Sequence, residues 1–313
     1  MMIRPAQASD IRAIVALLKA SLGEALVKKT AAIWQYKHRD NPFGRSLVLV
    51  AEENDQIIGV RAFMPWRWQK GTEVLQAYRA VDTATHPEHQ GKGIFKKLTL
   101  QAVSEVQSAS ECFIFNTPND KSRPGYLKMG WEVLGTLRLS LVPTVVYARL
   151  LLQKTPVAAV VEERNDCMAR LCERHNQALA QKHVLFTPKS AAYLTWRYEA
   201  NPLQDYFVSV TPDTYVASYV KQHQYFKELR VAEVIGATSK KSQQELRRYL
   251  VALAFQHKCL LLSTADKNLF PLAVYGTFGP QLTCRDLTAN QLVLQASKNL
   301  DDWQYSLGDL ELF

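Results

Sequence analysis

Several absences narrow the class of this chain before any motif is read. No stretch approaches the ~18–20 uninterrupted apolar residues that cross a bilayer; the greasiest, 137–152, is broken by Arg138, Pro143 and Arg149. The start, Met1-Met2-Ile3-Arg4-Pro5, has no charged region ahead of an apolar core, so no secretory signal and a cytoplasmic location are expected. Cysteine is sparse: Cys112, Cys167, Cys172, Cys259 and Cys284 include no Cys-x-x-Cys pair, which predicts reduced, buried thiols and no structural zinc. The net charge of +9 comes without a basic run, tail or basic–aromatic interleaving. Nucleic-acid binding therefore has no motif behind it, and most of the excess reads as solvated surface. What remains is an ordinary globular composition over 313 residues, enough for about two domains at ~100–200 residues each.

The most informative stretch is Thr85-His86-Pro87-Glu88-His89-Gln90-Gly91-Lys92-Gly93-Ile94-Phe95. It joins an apolar, β-prone run to a helix-like run. A helix N-terminus carries unpaired N–H groups and partial positive charge, so a phosphate fits there without special side chains. Gly91 and Gly93 would let the backbone approach such a ligand and adopt positive φ. Alone, the same pattern also serves plain connectors.

A second motif follows, Asn119-x-x-Ser122-x-x-x-Tyr126-x-x-x-Gly130-Trp131, after the apolar run Cys112-Phe113-Ile114-Phe115. Asn, Ser and Tyr at helical spacing share one face of a short helix that Gly130 ends. Together the two motifs closely resemble the GNAT superfamily of acyl-CoA-dependent N-acyltransferases. In the family's Arg/Gln-x-x-Gly-x-Gly/Ala loop, the anchor is Gln90, the fourth position is Gly93, and the sixth is Phe95, a departure whose ring must turn away from the diphosphate. The resemblance implies acetyl-CoA as co-substrate, bound by Thr83, Thr85, Gln90, Gly91, Lys92, Gly93, Ile94, Phe95, Asn119 and Ser122, with no metal. The positive field suits the phosphates of CoA, although Lys92, Lys96 and Lys97 read equally well as solvated.

Ile11, Ile14, Val15, Leu18 and Leu22 mark a helical face; 47–51 and 57–63 read as a hairpin, 78–85 as a strand, and 94–106 as a helix. This order matches the family's α+β fold, a mixed, mostly antiparallel sheet flanked by helices and splayed where the pantetheine inserts. An echo follows. Trp34 to Pro42 precedes the first hairpin, and Tyr193 to Pro202 precedes a second, at 206–210 and 214–220. A strand at 231–235, a helix at 242–256 and a strand at 259–263 complete the repeat. A tandem of GNAT-like domains is expected, 1–145 catalytic and 146–313 degenerate and completing the acceptor pocket. The second copy lacks the loop, since Gly236-Ala237-Thr238-Ser239-Lys240-Lys241 holds one glycine and no Gln/Arg-x-x-Gly.

Acetyl transfer needs a neutral amine, donors for the oxyanion and a proton for the leaving thiolate. By resemblance Tyr126 is the acid, a phenol protonated at neutral pH; the alternative is a tyrosine packed on its helix. Asp82 would hold the acceptor amine or a relay water, or instead pair with Arg79 or Arg61. His38 and His86 are weaker candidates, His86 reading as a turn residue. A terminal carboxylate at Phe313 is a further candidate base, a frayed tail the alternative. Trp34, Trp66, Trp68 and Trp196 read as an aromatic pocket wall or as core. Residues 20–45 and the Phe63-Met64-Pro65-Trp66 region are expected around the acceptor. The expected partner is a small-molecule or peptide amine (amino sugar, aminoglycoside-like molecule, polyamine or peptide), with no nucleic acid or membrane. Transfer of another acyl or aminoacyl group, and a silent acyl-CoA-binding protein, stand as alternatives. The sequence leaves oligomeric state open.

Overall fold

A computed structural model describes residues 1–23, 28–152, 163–289, 293 and 299–310. The first half runs β1 (Met2–Pro5), α1 (Ile11–Leu22), α2 (Ala31–His38), β2 (Leu47–Glu53), β3 (Gln56–Lys70), β4 (Glu73–Thr85), α3 (Ile94–Ala109), β5 (Phe113–Asn116), α4 (Arg123–Leu127), β6 (Glu132–Thr136) and β7 (Leu139–Pro143). The second half runs α5 (Arg164–Gln181), β8 (Leu185–Phe186), α6 (Ala191–Leu194), β9 (Phe207–Thr211), β10 (Thr214–Gln222), β11 (Lys227–Gly236) and α7 (Lys240–Gln256). It ends with β12 (Leu261–Thr264), β13 (Val274–Gly276), β14 (Gln281–Asp286), β15 (Trp303–Gln304) and α8 (Leu307–Leu310). No described helix is long and apolar enough to cross a membrane.

Two mixed sheets result, in an α+β architecture. The first is ordered β1-β2-β3-β4-β5-β14-β6, with β8 on the far end of β3 and β15 on β8. The second is ordered β13-β7-β12-β11-β10-β9. Each sheet takes strands from the other half: β14, β8 and β15 join the first, and β7 joins the second. β14 pairs antiparallel with both β5 and β6, while β7 pairs antiparallel with both β12 and β13. The sequence cut at 145/146 therefore crosses both sheets. A six-residue strand with Leu282, Thr283 and Cys284 buried advertises a buried strand but not which sheet buries it.

Strands β3 and β4 are longer than their apolar cores suggest. They continue to Lys70 and back from Glu73 around Gly71, carrying Pro65, Trp66 and Trp68 inside a paired strand. Trp66 and Trp68 are fully buried and Trp196 nearly so, in one core shared by both halves with Tyr193 and Trp303. Rings of this kind bury roughly 150–250 Å² each and hold the halves together. The echo segments meet there. Tyr36 Oη donates to the Trp196 carbonyl at 2.8 Å, and Trp196 Nε1 donates to the Tyr36 carbonyl at 3.0 Å. The Asn-Pro ends match as well: the Asn41 side chain accepts from Phe43 N–H at 3.0 Å and the Asn201 side chain from Leu203 N–H at 2.9 Å. Such Asx turns are why Asn opens both connections. Two further cores lie outside this one, under α3 and under α7.

Candidate active site

Strands β4 and β5 run parallel but pair only from Ala77–Phe113 to Arg79–Phe115. Beyond Arg79 they part, and a cleft of about 1150 Å³ opens between Ala80–Thr85 on one side and Asn116–Asn119 on the other. The α1 residues Val15, Leu18, Ser21 and Leu22 close one wall; the glycine loop and α4 close the other. Ser21 Oγ donates to the Thr85 carbonyl at 2.9 Å, tying α1 to the end of β4.

The loop does what its glycines predict. Gly91 has φ +78°, Gly93 has φ +75° at the N-cap of α3, and a Cβ on either would meet nothing within 4 Å. Positive φ and open space together describe a cradle for a bulky anion at a helix N-terminus, and these residues fit a CoA diphosphate. Phe95 turns its ring beneath α4, edge-on to Tyr126 at 5.5 Å between centroids. Gly125 makes the room, since a Cβ there would sit 3.0 Å from the Phe95 ring.

Of the cofactor candidates, Thr83, Thr85, Gln90, Gly91, Gly93, Ile94, Phe95, Asn119 and Ser122 all line this one cleft. Lys92 does not; its Nζ lies 3.5 Å from His89 Nδ1. Asn119 and Ser122 are partly committed to each other, because Asn119 Oδ1 accepts from Ser122 N–H at 2.9 Å and from Ser122 Oγ at 3.0 Å. Thr83 Oγ1 donates to the Val60 carbonyl at 3.2 Å.

Asp82 sits on a β-bulge, where Val60 opposes Ala84 and Ala62 opposes Val81. Its φ is +42°, a strained value for a non-glycine residue that re-aims the side chain into the cleft. The carboxylate pairs with Lys37 Nζ and with His38 Nε2 at 2.9 Å, and His38 Nδ1 lies 2.9 Å from Ser46 Oγ. The expected alternative partners are elsewhere. Arg61 donates to Tyr126, and Arg79 donates to the carbonyls of Asp309 and Leu310. Burial pushes the Asp82 carboxyl up, but the Lys37 charge and the His38 hydrogen bond outweigh it and hold the group well below the usual carboxylate range. Burial lowers His38 more than Asp82 raises it, so the imidazole is neutral at pH 7. Sequence reasoning undervalued His38 and overlooked Lys37; their i, i+1 placement at the end of a short helix shows no register with a strand 44 residues away.

Tyr126 lines the cleft but is 3% exposed, and its hydroxyl accepts from Arg61 Nη1 at 2.7 Å. His86 is the turn residue expected, its side chain accepting from Glu88 N–H at 3.4 Å. Cys112 is buried and pushed up to about 12, first by burial, so it presents no thiolate at neutral pH. Phe313 lies outside the described residues.

Of the residues expected around an acceptor, those within 20–45 line the cleft in part and the β3 region does not. Residues 28–37 contribute Lys28, Lys29, Thr30, Ile33, Trp34 and Lys37, whereas Phe63 to Trp66 line none of it. Of the four tryptophans only Trp34 reaches the cleft; Trp66 and Trp68 are core because β3 runs through to Lys70, and Trp196 is core because it packs on Tyr36 between the halves. From the second half, Pro280 alone among the described residues touches it.

Comparison with known proteins agrees with this geometry. The family described as Acetyltransferase (GNAT) domain matches residues 2–134. The L-amino acid N-acyltransferase MnaT of Escherichia coli K12 is 33% identical over 121 residues, 36% of this chain and 66% of that protein, just under two thirds of its length. A GCN5-related N-acetyltransferase from Anabaena variabilis superposes with a TM-score of 0.69 at 14% identity, over 93% of this chain and 74% of that one. Saccharomyces cerevisiae N-myristoyltransferase with bound myristoyl-CoA superposes with a TM-score of 0.55 at 11% identity, over 90% of this chain and 81% of that one. The last two show a shared fold that spans both halves. Residues 2–134 are thus an acetyltransferase (GNAT) domain.

Proposed function

We propose that this protein transfers an acetyl group from acetyl-CoA to a primary amine by direct attack in a ternary complex. The observation that carries this reading is a single cleft holding the open Gly91–Gly93 cradle, the bulged Asp82 and Tyr126. The loop and the head of α3 hold the diphosphate; the edge of β4 that has parted from β5 offers backbone groups to the pantetheine. Asp82, fixed by Lys37 and His38, positions the acceptor nitrogen or a water that takes its proton. A carboxylate held this far below its usual range is an anchor more than a strong base. Tyr126 supplies the proton that the leaving thiolate needs.

The acceptor carries an anionic group of its own. Lys28, Lys29, Lys37, Lys96 and Lys121 line the cleft against Asp82 as its one acidic residue among those described. Polyamines and aminoglycosides would meet like charge there, whereas a free amino acid presents a carboxylate to the lysines. The name of the Escherichia coli relative, an L-amino acid N-acyltransferase, points the same way. A thiol-release assay over amino acids, amino sugars, polyamines and peptides tests this. Release with amino acids and a kcat lowered at least tenfold by Tyr126→Phe are expected; release with polyamines alone would overturn the acceptor class.

A further inference from the structure

We propose that Arg61 is a positioning residue for proton donation by Tyr126, an inference that rests on reading Tyr126 as the acid. Arg61 lies on β3 opposite the bulge and is fully buried. Its Nη1 donates to Tyr126 Oη at 2.7 Å. Its guanidinium carbon sits 4.8 Å from the Phe63 ring centroid, 5.2 Å from that of Tyr126 and 5.8 Å from that of Phe95. Among the described residues Nε and Nη2 have no hydrogen-bond partner, and no carboxylate pairs with the group.

A buried guanidinium with two idle N–H edges and no counter-ion is costly, and a methionine would fill the same space without that cost. Three aromatic faces offset part of the cost through cation–π contact. What an apolar residue would not provide is a donor and a fixed positive charge at the phenol oxygen. The donor occupies one lone pair of that oxygen, so the hydroxyl proton points away from Arg61, and Tyr126 is among the residues that line the cleft. The Tyr126 ring also packs edge-on against Phe95 and Trp131.

In the step this serves, the amine nitrogen bonds to the thioester carbon and the carbon–sulfur bond breaks with its electron pair on sulfur. Sulfur takes the Tyr126 proton to give the free thiol. The resulting phenolate rests against Arg61 until it recovers a proton from the solvent, which has received the one lost by the amine. Oriented charge in a dry site acts where charge develops and needs no reorganisation.

The test is a double-mutant cycle on the full chain, with steady-state kinetics and ¹³C NMR of Tyr Cζ in the ligand-free protein. Arg61→Met should lower kcat about 10²-fold while changing the acetyl-CoA KM less than about threefold. Arg61→Lys should recover at least tenfold of that loss. In a Tyr126→Phe background, Arg61→Met should add less than about threefold, and in the ligand-free protein it should move the Tyr126 Cζ resonance. If Tyr126→Phe is slow but Arg61→Met turns over at the wild-type rate, or if the two losses multiply, the proposal falls and the acid reading stands. A wild-type rate for Tyr126→Phe removes the acid reading itself. Should Arg61→Met not fold, Arg61→Lys decides alone: it should lower kcat about three- to tenfold at unchanged KM, and a wild-type rate with an unmoved Cζ resonance overturns the proposal.

Discussion

The two halves place the same parts around two clefts and fill them differently. In the first, β4 and β5 part after Arg79 and leave a space of about 1150 Å³. In the second, β11 and β12 part after Val231–Thr264, and the corresponding cavity of about 550 Å³ is lined by α5, by the head of α7 and by the C-terminal segment. The glycines differ most. Gly93 faces open space, whereas Gly236, also at positive φ, has the Asp213 carbonyl oxygen 2.2 Å from where a Cβ would sit. The carboxylates differ too. Asp82 faces the cleft beside Lys37, while Glu233 is sealed with Asp309 around Lys189, all three at most 5% exposed. One cleft stays wide; the other is narrowed to about half that volume by the protein's own chain.

The largest effect should come from the narrowed side. Lys189 Nζ lies 2.7 Å from Glu233 and 2.6 Å from Asp309, and Tyr193, Tyr198 and Ser306 complete the cluster. Burial pushes Glu233 up, whereas Lys189 pulls Asp309 down against the effect of burial. Lys189→Met leaves two buried carboxyls facing each other and should cost about 3–5 kcal/mol in urea unfolding at pH 7. Lys37→Met, its counterpart on the open side, should cost only about 1–2 kcal/mol because His38 still holds Asp82. Equal costs would erase the contrast.

Next in size, Gly236→Ala must displace the Asp213 backbone at a position that is already left-handed, and should cost about 2–4 kcal/mol while leaving acetyl-CoA affinity intact. Thermal unfolding and calorimetry on one sample would show whether stability and binding separate this way.

A last effect is a pH dependence. His175 lines the narrowed cavity and is pushed down to about 4, first by burial and then by the Lys189 charge. Because the unfolded chain binds the proton more readily, stability is complete above pH 6.5 and falls as the pH drops from there towards 4, by on the order of 2–3 kcal/mol. His175→Asn should flatten that slope between pH 6.5 and 4, and an unchanged slope would assign it to other groups.

The open cleft was the legible part of the sequence. Gly91, Gly93, Asn119 and Tyr126 are placed by local backbone geometry and helical spacing, which a linear pattern records. The echo from Trp34 to Pro42 and from Tyr193 to Pro202 was legible for the same reason, each an Asx turn after an aromatic helix. Contacts set by long-range topology were not legible. Nothing near β7 or β14 says that each crosses to the other sheet, and nothing near Arg61 says that its partner lies 65 residues on. Trp66 and Trp68 were ambiguous because aromatic residues in an extended run suit a pocket wall and a core equally well.

The contrast between open and narrowed clefts is tested most directly by titrating acetyl-CoA into the wild-type chain and into Gly93→Asp by calorimetry. One site per chain is predicted, with affinity falling about 10²-fold or more when a carboxylate is placed in the cradle. Two sites per chain, or one that survives Gly93→Asp, would contradict the account.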